Sequence, residues 1–160
     1  MSVLEDPVAY RKMLLGPGLV SSASGAFAAD TRTIFTVAGG EVLLTGLWGV
    51  VTTAITVANT VALQINPTTG TTAVIVEATD IGTTDTAVGT VIGFTQSIDD
   101  PATSGALVEH SIALNGRILK DFVVTTGDIE QVTTGSSPDG AITWYATWVP
   151  LTVGATLVAG

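Results

Sequence analysis

The chain has 160 residues, a formal net charge of −9 and no cysteine, and 46% of its residues are hydrophobic while only 12% are charged. This length is that of a single domain with a full core, and the missing thiols exclude disulfides and thiolate metal sites. Only five residues are Lys or Arg, and none lies between residues 33 and 116. The clustered positive charge that nucleic-acid binding requires is therefore absent.

The polar residues are mostly hydroxylic, since 27 of them are Thr. A chain rich in Thr, Val and Gly favours strands joined by turns over helices. An ordinary monomer carries more charge on its surface and avoids large apolar patches. We therefore expect an oligomer or a component of an assembly, with an unusually uncharged monomer as the alternative. No uninterrupted run of about 18 apolar residues occurs, so we expect no membrane span.

Residues 1–31 differ from the rest and are predicted to form an N-terminal arm that precedes a β-sandwich domain of residues 32–160. A short helix is expected to begin near Pro7, because proline suits the first helical position, and to stop at Gly16-Pro17-Gly18. The alternative is a cleaved secretory leader ending near Ala26-Phe27-Ala28, which acidic residues near the start and internal glycines oppose. We expect the arm, extended or as a short helix, to lie on a neighbouring molecule.

From residue 33 onward the sequence alternates as strands do. Strands are predicted at residues 33–38, 41–52, 60–66, 71–78, 90–95, 106–114, 118–125, 128–133, 140–150 and 152–158. A hairpin is expected to join 60–66 to 71–78, and 128–133 is expected to pair with 140–150. Turn signals at intervals of about ten residues favour an all-β fold, an antiparallel β-sandwich that is jelly-roll-like. A flattened barrel is the alternative.

The clearest strand is residues 140–150, an uncharged run that holds two of the three Trp residues. A period of two places Ile142, Trp144, Ala146 and Trp148 on one face. Because two indoles on one face need a covering layer, we expect a second sheet or another subunit to pack there.

The strand at residues 41–52 is predicted to be apolar on both faces. Strict alternation places Leu43, Leu47 and Val51 on one face and Trp48, among others, on the opposite face. The glycines Gly46 and Gly49 within this strand indicate a bulge or a close backbone approach. A strand of this kind is typical of a central position covered on both sides.

Catalytic constellations are absent from the sequence. His110 is the only imidazole, and its neighbour Ser111 cannot use it as a base because adjacent strand positions point to opposite faces. Acidic pairs such as Asp99 with Asp100 lie in turns, where such residues usually shape the turn and solubilise it rather than bind Ca²⁺ or cleave glycosides. We therefore predict a protein that is not an enzyme, with no catalytic residue, cofactor or metal site.

Three segments resemble small virion proteins of tailed bacteriophages. The first begins with Thr33-Ile34-Phe35-Thr36-Val37-Ala38-Gly39, the second contains Asn66-Pro67-Thr68-Thr69-Gly70-Thr71, and the third contains Trp144-Tyr145-Ala146-Thr147-Trp148-Val149-Pro150-Leu151. The resemblance covers residues 33–156 and carries no catalytic residues. It implies a jelly-roll-like capsid decoration (cement) protein that sits as an oligomer on the outer face of an icosahedral head.

On this resemblance we expect a homo-oligomer, with a trimer ahead of a dimer, that binds the major capsid protein on the outer surface of the virion head. No nucleic acid and no membrane are expected as partners. The predicted contact residues are Leu14, Leu15, Phe27, Trp48, Trp144 and Trp148.

The alternative function is a receptor- or carbohydrate-binding module of a virion fibre or tail. Such a module needs aromatic side chains on loops, whereas all three Trp residues fall inside predicted strands. A secreted hydrolase or lectin-like enzyme is disfavoured by the single His and the absence of Cys.

Overall fold

A computed structural model describes residues 18–95, 106–110 and 122–160. Within these ranges the chain forms eleven β-strands and no helix. The strands are β1 (Gly18–Ala23), β2 (Thr31–Ala38), β3 (Val42–Thr53), β4 (Asn59–Pro67), β5 (Ala73–Ile81), β6 (Val91–Thr95), β7 (Ala106–His110), β8 (Phe122–Val124), β9 (Gly127–Thr134), β10 (Ala141–Pro150) and β11 (Thr156–Ala159).

The strands form two antiparallel sheets. Sheet A has the order β1-β10-β3-β6-β7, with β8 also paired to β3, and sheet B has the order β11-β2-β9-β4-β5. Inward-facing side chains from both sheets, such as Leu44 and Ile142 of sheet A and Phe35 and Ile129 of sheet B, form one buried cluster. The core therefore lies between two sheets, and the predicted all-β sandwich of antiparallel strands is confirmed.

The predicted hairpin between β4 and β5 is confirmed. The two strands pair antiparallel, and Gly70 in the turn between them has a φ of 130°, a conformation that favours glycine. The turn at Gly39 and Gly40 carries the chain from β2 of sheet B to β3 of sheet A. Gly39 has a φ of 74°, and a Cβ atom there would collide with the backbone carbonyl of Gly154.

The predicted pairing of residues 128–133 with the Trp-bearing strand is wrong. Strand β9 pairs with β2 and β4, whereas β10 pairs with β1 and β3. The physical reason is that the segment from Gly135 to Gly140 crosses from one sheet to the other. Strands β9 and β10 consequently face each other across the core instead of sharing a ladder.

A bulge in β3 shifts the alternation of that strand. Thr147 pairs with Gly46 and Trp148 pairs with Leu44, so β3 has one extra residue in the ladder. The bulge expected near Gly46 is confirmed, but the uniform alternation expected for the strand is wrong, because a bulge exchanges the faces on either side of it. Leu43 consequently faces outward. The buried positions of β3 are Val42, Leu44, Gly46, Leu47, Gly49 and Val51.

The first described residues of the predicted arm belong to sheet A. Gly18–Ala23 forms β1, which pairs along its whole length with β10. The predicted boundary at residue 31 therefore does not coincide with the edge of the sheets. The helix expected from Pro7 lies outside the described residues. In the part of the chain that is described, no helix long and apolar enough to cross a membrane occurs.

Candidate functional site

The inner face of β10 is part of the core. Trp144 is 0% exposed, and its ring stacks against Phe94 with the ring centroids 6.3 Å apart. Its indole Nε1 donates a hydrogen bond of 2.7 Å to Oε1 of Gln131, whose Nε2 donates to Thr133 Oγ1 at 2.8 Å. A buried Trp needs a partner for its N–H group. Gln131 supplies it from the opposite sheet.

A glycine makes room for the buried indole. Gly49 on β3 lies directly opposite Trp144 on β10. A Cβ atom on Gly49 would lie 2.8 Å from Cγ2 of Ile142 and 3.0 Å from Cζ3 of Trp144. The close approach expected at Gly49 is therefore present, and it follows from the packing of β10 onto β3.

The six predicted contact residues lie in different environments. Leu14 and Leu15 lie outside the described residues. Phe27 and Trp144 are buried in the core, so, contrary to expectation, their side chains are not available to a partner. The reason is the second sheet, which supplies the covering layer from within the same chain. Trp148 is half-buried against the core, and only Trp48 lies on the outer face of sheet A.

The outer face of sheet A carries a stacked aromatic pair. Trp48 lies directly opposite Tyr145 in the ladder between β3 and β10. Their ring centroids are 5.6 Å apart and their planes differ by 10°. Both side chains are half-buried. A period of two places Tyr145 on the face opposite to Trp144, but no local signal in the sequence identifies Trp48 as its partner, because their strands lie far apart in the chain.

Around this pair the outer face of sheet A bears no charged side chain on β1, β3, β6, β8 or β10. Leu19 is 54% exposed, Val123 52% and Val91 36%. The aliphatic residues of the face are Leu19, Leu43, Val50, Val91, Val123 and Val149. The hydroxyl-bearing residues are Ser21, Thr45, Thr143 and Thr147. We call the outward-facing side chains of β1, β3, β6, β8 and β10, which include Trp48 and Tyr145, the sheet-A outer face.

The outer face of sheet B has the opposite character. Glu130 accepts hydrogen bonds from Gln64 Nε2 at 2.6 Å and from Asn66 Nδ2 at 3.1 Å. Beside it, Asp128 accepts a bond of 2.7 Å from Thr36 Oγ1. Carboxylates and amides thus lie along the middle strands of sheet B. The two outer faces of the sandwich therefore present different chemistry to a partner.

The described residues carry an excess of negative charge. Arg32 is the only Lys or Arg among residues 18–95, 106–110 and 122–160. Its Nε donates to Asp30 at 2.8 Å, and its guanidinium also donates to the backbone carbonyls of Ser24 and Ala26 at 2.7 Å each. This cation is thus engaged in holding the loop between β1 and β2. It offers no free positive charge to an acidic ligand.

Asp139 shows what the acidic turn residues do in this fold. Its carboxylate accepts hydrogen bonds from Thr56 Oγ1 at 2.6 Å and from the backbone N–H groups of Thr56 and Val57 at 2.9 Å each. The hydroxyl bond from Thr56, followed by the two backbone bonds, lowers the pKa of Asp139 below its ordinary value of 3.8. Asp139 therefore holds the connection between β9 and β10 against the connection between β3 and β4, which is a structural role.

A shallow cleft of about 370 Å³ lies between the loops at one end of the sandwich. It is lined by Gly40, Glu41, Thr68, Thr69, Thr125, Thr126 and Thr152. Its chemistry is that of hydroxyl groups with a single carboxylate. No group of three or more His, Cys, Asp or Glu residues that could hold a metal ion occurs in the described part of the chain.

Comparison of the chain with protein-family models, with curated proteins and with solved structures finds no match. The sheet-A outer face is the candidate site because it combines a stacked aromatic pair, exposed aliphatic side chains and no charged side chain on its five strands.

Proposed function

We propose that this protein is a capsid decoration protein, which binds the major capsid protein on the outer surface of a virion head and stabilises the head as a homo-oligomer. The observation that carries this proposal is the uncharged sheet-A outer face. A decoration protein needs no chemistry, only a rigid scaffold and large contacts, and stable contacts are apolar at their centre. A broad face with a central aromatic pair meets that need.

The order in which the strands pair supports a jelly roll, the finer architecture that the sequence predicts. Strand β1 pairs with β10, β2 with β9, β3 with β6 and β4 with β5. The pairs are nested about the turn between β4 and β5, and successive pairs fall alternately in sheet A and sheet B. Nested pairs that alternate between two sheets are the pairing pattern expected of an eight-stranded jelly roll, a fold used by viral capsid and lectin domains.

The three segments that resemble phage virion proteins occupy framework positions. Ile34 and Phe35 of the first are buried in β2. The second segment forms the turn of the hairpin between β4 and β5, and the third is β10 with its aromatic residues on both faces. These positions define the sandwich and sheet-A outer face rather than a reactive site, which supports a structural role.

The proposal is tested by co-sedimentation of the purified full-length protein with heads of its phage that were assembled without it. We expect binding that saturates at a fixed number of copies per head and raises the temperature at which heads release DNA. Heads that already carry the protein are the control and should take up none. Absence of saturable binding to the depleted heads would contradict the proposal.

A second candidate is a receptor- or carbohydrate-binding module of a virion fibre or tail. The threonine-lined cleft favours it, because hydroxyl groups and the Glu41 carboxylate can hydrogen-bond a sugar. No described aromatic side chain lines the cleft, whereas aromatic faces are what carbohydrate sites use to hold a sugar ring. A glycan array discriminates the two candidates: a hit abolished by Glu41→Gln, with head binding absent, would favour the second.

A further inference from the structure

We infer that the sheet-A outer face is a self-association interface, on which a second copy of this chain seats its own sheet-A outer face. The inference deepens the proposed function and rests on it, because the proposed function places the two associated copies on the capsid. Self-association is nevertheless a property of the purified protein. It can therefore fail or succeed independently of binding to heads.

Charge selects this face over the others. The chain carries a net charge of −9, so two copies repel each other wherever carboxylates meet. The outer face of sheet B carries the half-buried Asp128 and, at 9% exposure, Glu130, so a contact there would bring carboxylates of both copies close together. On the sheet-A outer face the described strands β1, β3, β6, β8 and β10 present no carboxylate, so two copies can approach there without juxtaposing like charges.

The size of the face matches what a stable contact needs. With about 4.8 Å between strands and about 3.4 Å per residue, each strand residue covers roughly 16 Å² of the face. Strands β1, β3, β6, β8 and β10 have 6, 12, 5, 3 and 10 residues, so their projected area is roughly 590 Å². Stable interfaces take about 600–1,000 Å² from each partner. Burial of the whole face on each copy therefore reaches the lower end of the range for a specific contact.

The edges of sheet B are poorer contacts. Strand β5, at one edge of sheet B, has two register irregularities in its pairing with β4. Bulges of this kind twist an edge away from regular pairing with another chain. Strand β11, at the other edge, has only four residues. Growth of sheet B by strand addition is therefore disfavoured relative to packing of sheet A on its own copy.

Geometry then sets the symmetry. A face that meets the same face on a second copy makes an isologous contact, and such a contact closes as a two-fold dimer. A trimer requires each copy to offer two different surfaces. The inference therefore favours a dimer as the basic unit, in place of the trimer that the sequence resemblance puts first. Trp48 and Tyr145, near the middle of β3 and β10, would lie at the centre of this dimer.

The test is sedimentation velocity of the full-length protein over a wide range of concentrations, with one variant on each outer face. Val50→Lys places a charge on the sheet-A outer face, and Val132→Lys places one on the outer face of sheet B. Both residues are half-buried on central strands and face outward, so the two variants are matched. Leu19→Lys, at an exposed position on an edge strand, keeps the test valid if Val50→Lys does not fold.

We expect the wild type and Val132→Lys to sediment as dimers. Val50→Lys and Leu19→Lys should raise the dimer Kd at least about a hundredfold, because burial of an unpaired charge opposes association. A dimer that Leu19→Lys leaves intact would overturn the inference, as would a trimer. A monomeric wild type would also overturn it, and would point to the capsid or to residues 1–17 as the occupant of the face.

Discussion

Trp48 on β3 lies directly opposite Tyr145 on β10, and their rings stack on the outside of the sandwich with centroids 5.6 Å apart. Trp144, the sequence neighbour of Tyr145, points the other way and is fully enclosed. One strand therefore supplies aromatic side chains to two environments. The inward residue is enclosed in the core, and the outward pair lies half-buried on the surface that we propose as a contact.

The first prediction compares these two Trp residues. Trp144→Ala should lower the free energy of unfolding by about 3–5 kcal/mol, because it leaves a large cavity and an unpaired Gln131. Trp48→Ala is the matched control and should lose less, since its ring is only half-buried. Urea unfolding followed by circular dichroism, at concentrations where the protein is monomeric, measures both. Equal losses would contradict the assignment of Trp144 to the core and Trp48 to the exterior.

The second prediction concerns the glycine behind the buried indole. Gly49→Ala should destabilise the protein by about 1–3 kcal/mol, because the new methyl group overlaps Ile142 and Trp144. Gly18→Ala is the control, since its Cβ would lie 3.4 Å from the nearest atom of Trp148, an ordinary contact. Thermal unfolding of the two variants gives the comparison. A stable Gly49→Ala variant would show that β3 and β10 pack less closely than described.

The third prediction concerns pH. Hydrogen bonds from Thr56 and Val57 lower the pKa of Asp139 below 3.8 in the folded state. Its stabilising contribution is therefore complete above about pH 3.8 and is lost as the pH falls through the lowered pKa. Asp139→Asn should consequently reduce the free energy of unfolding at neutral pH, and the difference from wild type should shrink in strong acid.

Thr56→Val serves as the control for Asp139, because it removes the hydroxyl donor and leaves both backbone donors in place. It should reduce the free energy of unfolding by a smaller amount than Asp139→Asn. Urea titrations at a series of pH values measure both variants. A wild-type advantage that persists unchanged below the lowered pKa would contradict the role given to the ionised carboxylate.

The fourth prediction separates the two parts of the N-terminal segment. Deletion of residues 1–17 removes no described strand, and we expect the sandwich to stay folded. Deletion of residues 1–23 removes β1, exposes the edge of β10 and uncovers the core beside Trp144, so it should cause aggregation. Circular dichroism and light scattering distinguish the two.

The deletion of residues 1–17 also tests the expected anchoring role. If residues 1–17 contact a neighbouring molecule, their deletion should weaken binding to depleted heads about tenfold or more, because each bound copy loses one of its linked contacts. Undiminished binding by the folded deletion variant would show that residues 1–17 do not serve as an anchor.

The parts of the fold that the sequence predicts are those with local signals. The hairpin of β4 and β5 follows from the Asn66-to-Gly70 turn, and the inward face of β10 follows from alternation over Ile142, Trp144 and Ala146. The sheet pairing does not follow, because β1 pairs with β10 and β2 with β9 across most of the chain. Such pairings depend on how the ribbon wraps, which no short window of sequence encodes.

The candidate site, too, has features that the sequence predicts and features that depend on strand pairing. Trp48 is a predicted contact residue and lies on an outer face. The bulge near Gly46 changes which residues of β3 share that face with it, so Leu43 also points outward. To predict the stack of Trp48 on Tyr145, or the hydrogen bonds to Glu130, one must know which strands are neighbours. Tyr145 could be placed on an outward face from sequence. Its role beside Trp48 could not.

Whether the protein decorates the capsid is measured most simply by electron cryo-microscopy of heads before and after addition of the purified protein. We expect new density at symmetric positions on the outer surface of the head, with the sandwich seated on the major capsid protein. Density confined to a tail or fibre, or heads that look the same in both images, would contradict it.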